Sequence, residues 1–233
     1  MIANKALPRS IPWLVLGGLL VLQAAGAAAH DISDANRAFV ETLDGPAPIP
    51  FLYLGAKHMV TGIDHILFLL GVVFFLRRLK DVVLYVSMFT LGHSATLLGG
   101  VLLGTGLNSS LVDAVIGLSV VYKALENLGG LRKVGLAINT KLAVLVFGLF
   151  HGMGLATKLM SLQVSPNGLL TNLISFNVGV ELGQVIVLAP VVFLLNLWRD
   201  RASFARGATA ANLLILAAGI ALTLYHLTGY FSA

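Results

Sequence analysis

The chain has 233 residues, of which 58% are hydrophobic and 11% charged, with a net charge of +5. So little polar surface cannot wrap one water-soluble core, and the composition defines a polytopic membrane protein. The basic residues sit in short clusters between apolar runs and form no continuous face, which excludes nucleic acid as a partner, and the absence of cysteine excludes disulfides, thiolate metal sites and cysteine nucleophiles.

Residues 1–29 carry Lys5 and Arg9, an apolar run from Trp13 to Leu22 and small residues ending in Ala27, Ala28 and Ala29. This pattern predicts a cleavable signal peptide, with an uncleaved first helix as the competing reading. Cleavage after Ala29 would make His30 the mature N-terminus, where its amine and imidazole together form a metal chelator. Residues 30–57 read as a short extracytoplasmic arm, with one helix around Ile32–Leu43 and then an extended linker through Pro46, Pro48 and Pro50.

The remainder, 58–233, predicts an all-α integral membrane domain of six transmembrane helices in a bundle. Its apolar segments cover about 58–76, 82–103, 110–128, 141–160, 169–197 and 208–230. The fifth exceeds the hydrocarbon thickness and must tilt or protrude. Turn signals separate the segments at Gly104–Gly106, Gly129–Gly130 and Ser165–Gly168. Arg77, Arg78, Lys80, Arg132, Lys133, Lys141, Arg199, Arg201 and Arg206 all fall in alternate loops, so the positive-inside rule places the arm and the C-terminus outside. In a bacterium this is a multi-pass protein of the inner membrane, with the periplasm on the arm side.

Ionisable residues inside such segments mark a function by default. Lys57–Leu70 contains His58, Asp64 and His65; later segments add His93, His151 and Glu181, with Asn177 and Gln184 flanking the glutamate. At about 1.5 Å per residue, Asp64 and His65 lie roughly 10 Å below the outer edge and His93, His151 and Glu181 roughly 14–18 Å below it. Four segments thus contribute to one His/carboxylate layer, a ligand set for a divalent transition-metal ion.

His58 and His65, seven residues apart, are about 10 Å apart on a straight helix. Either the helix breaks near Thr61 and Gly62, or His58 hands an ion to an inner site; Asp64 is either a direct ligand or the acceptor that orients His65. Gly148 and Gly152 bracket His151, and Gly179 and Gly183 bracket Glu181, a spacing that lets helices approach closely. Glu126 reads as an interfacial partner of Lys123, and His226 as a hydrogen-bonded core residue.

His58, Asp64 and His65 in the first span, a mature start at His30 and the run FGLFHGMG resemble the HupE/UreJ family of bacterial membrane proteins, over essentially the whole chain after residue 29. FTLGHSATLL is similar to the His-Ser motif of nickel/cobalt permeases, whose other signature, a His, four residues and Asp-His, is one residue longer here. Met59 and Thr61 stand where the HupE/UreJ motif usually has proline and serine. The resemblance implies a nickel transporter or an accessory protein of hydrogenase and urease systems. The cargo is then nickel, with cobalt, zinc, iron and copper chemically eligible. The partners are the lipid bilayer and the metal ion, with a second copy or maturation proteins left open. The competing class is an integral-membrane metalloenzyme. No phosphate loop, serine-nucleophile motif or HExxH helix supplies it with a reaction, so the expectation is no enzyme.

Overall fold

A computed structural model describes residues 34–232 apart from 137 and 163. The expected signal peptide and His30 lie outside the described residues. Among them the fold is all helical: α1 (Asp34–Glu41), α2 (Pro48–Thr61), α3 (Ile63–Val73), α4 (Leu79–Leu103), α5 (Ser109–Asn127), α6 (Gly130–Lys133), α7 (Thr140–Met160), α8 (Leu169–Arg199) and α9 (Phe204–Phe231). The caps explain several boundaries. Asn108 accepts a hydrogen bond from the Leu111 amide and starts α5, while Asn139 accepts from the amides of Lys141 and Leu142 and starts α7.

The proline run departs from the extended linker expected of it. Pro48 and Pro50 lie in the first turn of α2, where backbone N–H groups have no helical partner and proline removes nothing. The first apolar segment is also not the single helix over 58–76. It divides at Gly62, and α2 and α3 are bent by 68° across it.

Four helices, α4, α7, α8 and α9, are long and apolar enough to cross a membrane, and α2 with α3 passes as a fifth when the bent pair is one span. The 19-residue α5 falls short because it carries Asp113, Lys123 and Glu126.

Polar contacts sort the loops onto two ends. At one end Asp44 accepts hydrogen bonds from Ser165 and Asn167, Asn172 binds both Ala47 and Gly45, and the Leu107 amide donates to Thr157. Gly168 adopts φ 72°, and a Cβ there would strike Pro46, so only glycine permits this docking of the arm. At the other end Arg199 donates to the carbonyls of Val73, Phe74 and Leu76, capping the last turn of α3. There Glu126 pairs with Lys123 at 2.6 Å, as expected, and also accepts from Thr140. Pro48 therefore lies at the arm end and Val73 at the opposite end, so α2 and α3 together run through the molecule as one broken rod.

Glycines set the packing. Gly55, Gly179 and Gly183 join α2 to α8; Gly92, Gly148 and Gly152 join α4 to α7; Gly117 and Gly219 join α5 to α9. In each pair an added Cβ would collide with the facing helix, so the backbones approach as closely as glycine allows. The short α3 has nine of its 11 residues buried. Beyond Asp64 and His65 in its first turn this helix is apolar on every side, which places it in the interior as the central element to which the longer helices are fitted.

Candidate metal centre

Gly62 is the structural origin of the site. Its φ of −72° and ψ of 102° suit any residue, but a Cβ would lie 2.9 Å from His65 Nδ1 and 3.0 Å from the His58 carbonyl oxygen. The break turns α3 by 68° from the direction of α2. The rings of His58 and His65 then stand 4.9 Å apart between centroids, half the separation expected on a straight helix. This decides between the two sequence readings of the pair in favour of a broken helix.

Asp64 and His65 occupy the first turn of α3. Asp64 Oδ1 accepts from the His65 backbone N–H at 2.9 Å, satisfying an amide that the helix start leaves unpaired, and it also lies 2.9 Å from His65 Nδ1. An ionised carboxylate only accepts, so Nδ1 carries the proton and Nε2 carries the lone pair.

His93 from α4 and His151 from α7 complete the cluster, and both are buried. Gly152 rests on the His93 carbonyl and Gly148 on the Phe89 carbonyl, so the glycine seam that joins the helices also sets the two histidines at one level. Ser119 Oγ donates to the Ile116 carbonyl at 2.6 Å and lies 3.4 Å from His151 Nε2. With the serine proton committed, His151 Nε2 is the donor and Nδ1 is left as the ligating atom.

Two ligand groups result, one of His58, His65 and His93 and the other of Asp64, His65 and His151. Within each, the ligand atoms lie within 4.8 Å of one another. Two atoms bound to one ion at about 2.1 Å can be at most about 4.2 Å apart, so closure on an ion needs movements of under about 1 Å. Nε2 of His58, Nε2 of His65, both ring nitrogens of His93 and Nδ1 of His151 are buried with no hydrogen-bond partner. An unsatisfied buried polar atom costs about 1–3 kcal/mol, and five together form a cost that a bound cation would remove. Phe68, Phe89 and Phe176 wall the histidines, with ring centroids 5.0–6.1 Å away.

Glu181 does not join them. It is exposed on α8, because Gly179 and Gly183 turn their face to α2 and a residue two positions on points about 200° away. Asn177 is buried beside His93, accepting from Ser94 at 2.7 Å and donating to the Leu173 carbonyl at 2.9 Å. Seven residues later Gln184 repeats the pattern by accepting from Thr90 at 2.8 Å. The two amides tie α8 to α4 beside His93. Ser119, which orients His151, escaped the sequence reading because a lone serine in an apolar segment gives no spacing signal.

The fold and the cluster define a class: among the described residues, an all-helical protein with several membrane-length apolar helices, enclosing buried His/carboxylate groups close enough together to hold a metal ion. The chain belongs to the HupE/UreJ family, whose model, described as HupE / UreJ protein, matches residues 34–233. That family is associated with nickel/cobalt transport or accessory function. Comparison with curated proteins and with solved structures gives no match.

Proposed function

We propose that this protein carries a divalent transition-metal ion, nickel in the first instance, across the bacterial inner membrane through the buried histidine cluster. The observation that carries the reading is the sharing of His65 between two overlapping ligand groups whose remaining nitrogens are buried without partners. A resident structural ion is best held by one closed ligand set. Two sets pivoting on one imidazole suit an ion that is held briefly and passed on. The family association supplies nickel as the cargo, and thiolate-free imidazole and carboxylate donors are compatible with it.

In this reading the chain crosses the membrane six times, by α2 with α3 and then by α4, α5, α7, α8 and α9. The 19 residues of α5 give a length of about 28 Å, and it connects the same two ends as its neighbours. Its charges are paired inside the bundle, Asp113 with Lys158 and Lys123 with Glu126, so they do not meet lipid. The basic loops gather at the end where Arg199 caps α3, which makes that end cytoplasmic and the arm periplasmic. In this reading residues 1–29 are a cleaved signal peptide, and His30 collects metal ahead of the bundle.

A carrier fits better than an enzyme. The cavity against the cluster has about 20 Å³, room for one water-sized species and for no organic substrate. Uptake of radiolabelled nickel by cells expressing the protein, compared with His65→Ala at equal membrane abundance, tests the proposal. Flux no greater than that of His65→Ala would sink it.

A further inference from the structure

Asp113 lies near the start of α5, is 7% exposed, and belongs to neither ligand group. Lys158 of α7 donates to both its oxygens, at 3.2 Å to Oδ1 and 2.9 Å to Oδ2, and His226 Nδ1 of α9 is 3.8 Å from Oδ2. Three helices therefore converge on one buried carboxylate. On its inner side is the 20 Å³ cavity, bounded by Asp113 and Lys158 on one wall and by His58, His65 and His151 on the other. On its outer side an open cavity of about 660 Å³ is lined by Lys158, His226 and the hydroxyls of Ser110, Thr157 and Ser161. Lys158 lines both cavities and is the partition between them.

We propose that Asp113 and His226 form an outer station for a divalent cation, and that the Lys158 ammonium is a tethered stand-in which the incoming ion displaces. The inference rests on the transport reading above and names how its buried site is reached. A buried carboxylate needs a cation, and an ammonium supplies one charge and hydrogen bonds. A divalent ion supplies twice that charge and can form a coordinate bond with the imidazole nitrogen of His226, to which an ammonium offers only a hydrogen bond. On exchange, the flexible lysine stem swings its charge into the hydroxyl-lined outer cavity. The ion then stands across the 20 Å³ gap from the histidine cluster. When no ion is present the ammonium returns and closes the gap.

Stopped-flow absorption with cobalt(II) on the purified full-length protein, together with metal content at saturation, reads both consequences. Lys158→Met is expected to bind cobalt at least tenfold faster than the parent and to retain one further ion per chain. Adding His226→Ala to that variant is expected to lose the further ion and keep the fast binding. Lys158→Met leaves a buried carboxylate uncompensated and can fail to fold, so Asp113→Asn combined with Lys158→Met, which removes both charges, is measured beside it. Fast binding with parental metal content is expected there. A parental rate in either variant overturns the proposal and leaves Asp113–Lys158 a structural ion pair only. If the parent binds cobalt and moves nickel while these variants change nothing, the outer station alone fails. If the parent binds neither cobalt nor nickel, the transport reading fails with it.

Discussion

His65 is the one residue that both ligand groups require, and its environment prepares it for that place. Asp64 holds the proton on Nδ1, the Gly62 break sets the ring beside His58, and Nε2 is left buried and unpaired. His65→Ala should therefore abolish binding of nickel or cobalt, measured by calorimetry on purified protein. His93→Ala and His151→Ala each leave one group intact and should weaken binding about 10–100-fold, the range seen when the support of a metal ligand is lost. Parental affinity in His65→Ala would remove the cluster from the function. Glu181→Gln is expected to bind and transport as the parent does, since Glu181 is exposed and outside both groups. A loss of more than tenfold there would show that the helix carries cargo on its outward face.

At the scale of elements, the site depends on helix ends and helix contacts more than on any one ligand. Gly62→Ala adds a single methyl group, yet that methyl meets His65 Nδ1 at 2.9 Å. Overpacking of this kind costs about 1–3 kcal/mol, and here the strain falls on the ligand pair. The variant should lose metal affinity at least tenfold while remaining helical by circular dichroism; unchanged affinity would show that the break tolerates a side chain. The arm is held to the loop at 165–168 by Asp44. Hydrogen bonds from Ser165 and Asn167 keep that carboxyl below its ordinary value of 3.8. A depressed pKa means the contact is fully present above that value and is lost as pH falls below it. Limited proteolysis of the arm should accordingly accelerate in Asp44→Ala at neutral pH and in the parent only under strong acid. Equal cleavage of the two at neutral pH would show that Asp44 does not anchor the arm.

On the scale of the whole molecule, the absence of cysteine makes single-cysteine labelling direct. Thr105→Cys and Asn167→Cys should react with an impermeant reagent in spheroplasts, while Lys133→Cys and Arg201→Cys should react only after the membrane is opened. Labelling of Lys133→Cys in intact spheroplasts would invert the topology and place the histidine cluster on the cytoplasmic approach. The same architecture explains how α5 runs through the bundle with charges in it: Asp113 meets Lys158 and Lys123 meets Glu126 inside the protein.

The sequence by itself determined the class and the approximate extents of the later helices, and it singled out the histidines and the aspartate that the fold brings together. Hydropathy and turn residues report local transfer free energies, and a histidine or aspartate in an apolar segment is conspicuous wherever it lies. It also indicated the glycine seams, though not which face they turned, and that face is what moved Glu181 out of the site. Only the tertiary structure decided that the first segment breaks at Gly62, because the ring of His65 just past the break packs against Phe89, His93 and His151 from distant parts of the chain. Only the tertiary structure, likewise, brought Asp113, Lys158 and His226 together. Their pairing spans three helices and large sequence separations. No local periodicity encodes it; it follows from which faces the glycines allow to meet.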